Sequence, residues 1–254
     1  ASISSASESE GLGGNAGAID IRAGDSVSLE NGSSITTATS GRGHAGDIML
    51  ETGYFDMRSG SLISSASTSK HNGGDAGTVF IRAENLMRLS QGSAITTLAE
   101  DAGKGRITVD AGDRIYVWDS EITTSIKKGG NDAGDVTMNQ DILILNRSKI
   151  VANAWEGRGG NIRLIAEPFV QSWESLVDAS SQFGMDGTVY IESPEGDFAS
   201  MVLLPASPLD ATRWMKTPCA ARSAEKTSRF VIKGRDAVPT PFDDWQPSPM
   251  TWFD

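Results

Sequence analysis

Residues 31–40 read "NGSSITTATS", and the chain writes the phrase again as "SGSLISSAST" at 59–68, "QGSAITTLAE" at 91–100 and "DSEITTS" at 119–125. The first three copies set a turn-forming pair ahead of an isoleucine followed by two hydroxyl residues. Glycine beside a small polar residue favours a turn. Period-two alternation marks a strand with one face in a core. A strand that returns every 28 to 32 residues reads as the same face of successive turns of a coil.

Upstream of each copy lies a second signature, a small-residue pair before an apolar alternation. It appears as "AGAIDI" (16–21), "AGDIML" (45–50), "AGTVFI" (76–81), "KGRITV" (104–109), "AGDVTM" (133–138), "GGNIRL" (159–164) and "DGTVYI" (186–191). Its glycines, Gly17, Gly46, Gly77, Gly105, Gly134, Gly160 and Gly187, are 26 to 31 residues apart and act as structural anchors. Residues 3–37 and 63–97 share "ISSAS", "GG", "AG", "IRA", "GS" and "ITT" at a constant offset of 60, which marks a duplication.

Within one unit, Ile48 and Leu50 mark a first strand, Phe55 and Met57 a second, and Ile63 opens a third. From the anchoring glycine to the isoleucine of the third strand the distance is 18, 17, 18, 17, 16 and 17 residues; from there to the next glycine it is 10 to 14. Two corners are therefore nearly fixed and one is free to lengthen, as in a right-handed parallel β-helix whose insertions loop into solvent. The spacing predicts an all-β fold of about seven three-strand rungs over residues 1–191, a rod of roughly 30 Å at about 4.8 Å per rung. Ile35, Ile63, Ile95, Ile122, Ile150 and Val177 stack inside. Thr36, Ser64, Thr96 and Thr123 point out; Thr37, Ser65, Thr97 and Thr124 point in, where hydroxyls can reach each other or corner carbonyls. Residues 67–73, "STSKHNG", are expected to form an excursion at the variable corner. The opening "ASISSAS" matches the middle of a later unit, so the chain is expected to begin mid-protein, as the C-terminal piece of something longer.

Composition changes near Glu192. Residues 1–191 hold 26 of 28 glycines and one proline, Pro168; residues 192–254 hold two glycines and eight prolines. Proline removes a ladder donor, so the second region is not more of the same sheet. We expect it to cap the final rung, with Ser207 and Pro208 opening a short helix over 208–216, "SRFVIKG" a strand, and Trp214 and Phe230 over the apolar column. Net charge is −11, which repels a phosphate backbone and argues against nucleic acid. A lone cysteine, Cys219, excludes an intrachain disulfide and a cysteine-based zinc site, leaving a buried thiol or an intermolecular link. No apolar run approaches the roughly 18 residues of a membrane span.

The rungs resemble those of filamentous haemagglutinin-like exoproteins of Gram-negative bacteria and cyanobacteria, the secreted partners of two-partner secretion systems. More specific is the tail, which resembles their closing segment: Leu209, Asp210, Ala211, Cys219, Arg222, Phe230, Val231, Gly234 and Arg235 fit its pattern, while "DAVPT" follows where the family writes Gly-Gly-Leu-Pro-Pro. The resemblance implies a secreted or cell-surface protein exported by an outer-membrane transporter, with adhesion to a host or neighbouring-cell glycan or protein as its usual activity, and no cofactor.

A polysaccharide-acting enzyme is the alternative, since such enzymes also use parallel β-helices. Their chemistry needs carboxylates, alone or with Lys or Arg, gathered on one outward face. The outward middle of the first strand reads Asp20, Met49, Phe80, Thr108, Thr137, Arg163, Tyr190, with no two acids adjacent. Glu8, Glu10, Glu100, Asp101, Asp132 and Glu156 fall at the variable corner and read as loop charge, and His44 and His71 as surface residues of the same loops. "GGNAG" and "GGDAG" lack the nine-residue tandem spacing of calcium repeats, so no metal site is expected. Thr36, Ser64, Thr96 and Thr123 are candidate ligand-binding residues, and the rung spacing of such a threonine array would also suit ice. Trp118 and Trp173 fall near equivalent corners and are candidates for stacking on a sugar or packing under the tail.

Overall fold

Alternation at period two puts every second side chain of a strand on one face. In the computed structural model, which describes residues 1–9, 13–69, 73–101, 103 and 105–193, those faces close around one core. In chain order the strands are β1 Ser2–Ser7, β2 Ile19–Leu29, β3 Ser34–Thr39, β4 Ile48–Met57, β5 Leu62–Ser67, β6 Thr78–Ser90, β7 Ala94–Ala99, β8 Arg106–Ala111 and β9 Arg114–Trp118. They continue as β10 Glu121–Ile126, β11 Val136–Asn139, β12 Ile142–Asn146, β13 Lys149–Asn153, β14 Ile162–Ile165, β15 Phe169–Gln171, β16 Leu176–Asp178 and β17 Val189–Glu192. A seven-stranded sheet runs β1-β3-β5-β7-β10-β13-β16 and a ten-stranded sheet carries the rest, with parallel pairing throughout. The fold is a parallel β-helix of about seven turns, and no helix occurs among the described residues.

The seven-stranded sheet carries the repeated phrase. Ile35, Ile63, Ile95, Ile122 and Ile150 are register partners on successive strands and fully buried; Val177 continues the column, partly buried. Each such side chain contributes about 1.5–3 kcal/mol by leaving water.

The first two strands of a rung are not separate everywhere, as the sequence suggested. In β2, β4 and β6 they run on as one strand through the corner, and they part only from β8/β9 onward. The pairing tolerates this through register slips, between Ala23 and Ser26 on β2 and between Thr52 and Tyr54 on β4. The nearly fixed corners each gain or lose one residue. Thr52 and Gly53 do on β4 what Ala83, Glu84 and Asn85 do on β6, and Asp119 and Ser120 replace the three residues Gln91, Gly92 and Ser93. These single-residue changes account for the spread of 16 to 18 in the sequence spacing.

At the second of these corners Asn31, Ser59 and Gln91 take φ of 54°, 57° and 58°, each followed by a glycine that is also left-handed. Where the corner is a residue shorter, Asp119 and Arg147 keep the positive φ and no glycine follows. A buried serine comes next on every rung, and its hydroxyl closes the turn: Ser61 donates to the Arg58 carbonyl at 2.8 Å, Ser93 to Ser90 at 2.8 Å, Ser120 to Trp118 at 2.9 Å and Ser148 to Asn146 at 2.8 Å.

The inward hydroxyls meet the anchoring glycines across the core. Thr37 and Ser65 both donate to the Gly46 carbonyl, at 2.5 and 3.0 Å, and Thr124 donates to that of Gly134 at 2.7 Å. Ser65 also accepts from the Gly77 amide at 2.8 Å. A Cβ on Gly105 would lie 2.6 Å from the Thr97 Cβ, and one on Gly134, Gly160 or Gly187 would run into the carbonyl of Gly105, Gly134 or Gly160. Glycine is thus required because adjacent rungs touch through their backbones here. Thr97 departs from the expectation, since its buried hydroxyl has no partner. Thr124→Val should therefore lower stability by about 1 kcal/mol, the usual worth of one hydrogen bond, while Thr97→Val should be neutral or stabilising. Thermal melts of the two variants check this contrast.

Two residues of the excursion expected at 67–73 belong to the stack instead. Ser67 is the last residue of β5 and is buried, as is Ser69, because the inward alternation continues past the isoleucine and a serine fits there. Residues 70–72 lie outside the described residues, as do Glu10, His71 and the expected cap with Cys219, Trp214 and Phe230. Glu192 belongs to β17, so the stack reaches the boundary assigned to the second region.

Candidate functional site

The outward ladder of the seven-stranded sheet is assembled as expected. Ser4, Thr36, Ser64, Thr96 and Thr123 are consecutive register partners, followed by Val151 and Asp178. Thr36 donates to the Ser4 hydroxyl at 3.3 Å and Thr96 to that of Ser64 at 3.0 Å, so part of their capacity is spent along the ladder. The flanking outward positions are Ala6, Ala38, Ala66 and, projecting further, Leu98.

The proposed tryptophan pair is not brought together. Trp118 pairs with Asn146 on the next rung, and the Arg147 guanidinium stands 5.7 Å from its ring centroid. Trp173 lies beyond that rung and is 90 % exposed. Among the described residues the aromatic pair is instead Trp155 and Phe183, edge to face with centroids 5.0 Å apart. Sequence arithmetic could have found its setting, because Lys127, Trp155 and Gln182 each follow the column residue Ile122, Ile150 or Val177 by five. These loops line a cleft of about 1020 Å³ at the variable corner, together with Lys128, Asn153 and Glu156.

A second cleft, of about 520 Å³, is lined by four carboxylates, Asp110, Asp141, Glu167 and Glu192. Asn139 donates to Asp110 at 3.4 Å, and Arg163 pairs with Glu192 at 3.5 Å. The column Asp20, Met49, Phe80, Thr108, Thr137, Arg163, Tyr190 is assembled as read, without adjacent acids. The acids gather one outward position later, where Arg22, Glu51, Arg82, Asp110, Asn139, Ile165 and Glu192 stack, and at the corner after it. Among the described residues no group of three or more His, Cys, Asp or Glu could hold a metal ion.

His44 ties its loop to those of the rungs on either side, its Nδ1 accepting from the Asp75 amide at 2.9 Å while its amide donates to Asn15 at 2.9 Å. Elsewhere charges pair between rungs: Arg88 forks onto Asp56 at 2.7 and 3.0 Å, and Arg58 binds Glu30. The Arg58 hydrogen bond, helped by Ser28, holds the Glu30 carboxyl below its ordinary value. A depressed folded value means that the pair's stabilisation is present above the unfolded value and is lost as pH falls through the folded one. Glu30→Gln should remove that part of the acid loss, read as a shallower decline of melting temperature below pH 4.5, and a small one because the pair is exposed.

Among the described residues no helix is long and apolar enough to cross a membrane. Comparison with protein-family models, with curated proteins and with solved structures found no match to the chain.

Proposed function

We propose that the chain is part of a secreted or cell-surface adhesive exoprotein, exported by an outer-membrane transporter of the two-partner kind, that binds a glycan or protein on a host or neighbouring cell. The observation that carries this reading is the in-register rod, whose outward ladder from Ser4 to Thr123 and corner cleft at Lys127, Trp155 and Gln182 each draw on several consecutive rungs. A surface built by stacking lets a repeating ligand touch equivalent positions on successive turns, which multiplies weak contacts. The tail's likeness to the closing segment of filamentous haemagglutinin-like proteins supports the export route. Beads coated with the purified chain should adhere to mammalian or bacterial cells above beads coated with an unrelated β-helix; equal adhesion would overturn the reading.

The four carboxylates of the second cleft favour one other reading, a polysaccharide-acting enzyme, because glycoside cleavage uses paired carboxyl groups as acid and base or nucleophile. It predicts release of products from a polysaccharide panel, abolished by Asp141→Asn in a chain of unchanged melting temperature. No product from any member of the panel would remove it.

A further inference from the structure

The corner cleft is built from three consecutive loops in equivalent positions. Ser125 pairs with Asn153, and an isolated parallel bridge joins Ala154 to Ser181, which puts Lys127, Trp155 and Gln182 on one outward column and Lys128, Glu156 and Phe183 on the next. Main-chain hydrogen bonds hold these positions: the Lys127 amide donates to Ala99 at 3.0 Å, Gln182 to Ala154 at 3.1 Å and Phe183 to Trp155 at 2.9 Å. The cleft therefore has a fixed backbone although it lies at the corner that varies in length.

Two features of its lining point to one class of ligand. Trp155, which lines the cleft, is 37 % exposed, and its edge-to-face contact with Phe183 steadies the ring. Lys127 and Lys128 are exposed, and among the described residues neither takes part in an ion pair, in a chain whose net charge is −11. An exposed aromatic face takes the C–H face of a sugar ring, and two unpaired ammonium groups take an anion. The cleft's volume of about 1020 Å³ matches ligand sites, which run roughly 300–1,000 Å³.

We infer that this cleft binds an acidic saccharide, with a sugar ring on Trp155 and its carboxylate or sulfate on Lys127 and Lys128. The inference rests on the adhesive reading and supplies its ligand class. Glu156, on the same column as Lys128, leaves the two lysines in excess by one charge and disfavours a ligand bearing ammonium groups.

The test is calorimetric titration of the full chain with an oligogalacturonide (carboxylate), a heparin-derived oligosaccharide (sulfate), a neutral cello-oligosaccharide and a linear polyphosphate, alongside bead adhesion to cells. Binding of either acidic oligosaccharide is expected, with the neutral sugar at least tenfold weaker and the preferred acidic sugar identifying the anion. Lys127→Ala combined with Lys128→Ala, which leaves the core untouched, should weaken it at least tenfold, and Trp155→Ala several-fold, at unchanged melting temperature. No binding of either acidic oligosaccharide overturns the inference. So does binding that polyphosphate matches and that Trp155→Ala leaves unchanged, since that is charge alone. Adhesion that survives in the double lysine variant would overturn the cleft while leaving the adhesive reading standing. Acidic-oligosaccharide binding without adhesion of the parent chain would do the reverse.

Discussion

Ile95→Asp should lower the melting temperature by about 8–16 °C, or leave the chain insoluble. Ile95 is fully buried, with Ile63 on the rung before it and Ile122 on the rung after. A carboxylate there has no cation within the core and must either remain unpaired or take up a proton, and such changes cost about 4 kcal/mol or more. For a chain of this size each kcal/mol is worth about 2–4 °C. Ile95→Val, which only removes a methyl group, should cost about 1 kcal/mol and serves as the control. A melt of the aspartate variant within two degrees of the parent would mean that the column is not closed from above and below.

Gly134→Val should be comparably damaging, by about 3 kcal/mol or more, for a reason that has nothing to do with hydrophobicity. Its added Cβ would enter the space of the Gly105 carbonyl on the preceding rung, and the Gly134 carbonyl is the acceptor for Thr124. Relief requires separating two stacked rungs, which breaks the adjoining ladder hydrogen bonds as well as the packing. Gly24→Val is the matched control, since no atom lies within 4 Å of a Cβ built there. Equal melting temperatures for the two glycine variants would show that the rungs can part at little cost.

The isoleucine column, the glycine spacing and the alternation of hydroxyls in and out were all legible, because each is a property of period and register, and a parallel stack imposes one register on every copy. The long strands β2, β4 and β6 were not legible, because whether a corner breaks a strand depends on whether pairing survives a one-residue slip, which no single residue type signals. The candidate site was read less well. Trp118 and Trp173 share a corner position but not adjacent rungs, whereas Trp155 falls into place once positions are counted from the stacked isoleucines. The carboxylate cleft leaves no trace in the column from Asp20 to Tyr190, because Asp110 and Glu192 occupy the next outward position.

The offset of 60 residues in the duplication has a physical meaning in this register. Arg22 and Arg82 are copies of one another, and they do not touch: Glu51 lies between them, and Asp110 follows on the far side of Arg82. In a parallel stack, copying a single rung in tandem would set every charged side chain against its twin at about 4.8 Å, where like charges repel by about 1 kcal/mol even in water and more at a protein surface. A two-rung unit is the smallest that can carry charge and still be copied head to tail. Growth of such a rod by gene duplication is therefore confined to even steps unless a new rung is neutral, and the Ser and Thr ladder, which carries no charge over its first five rungs, is the part of the surface free of that restriction.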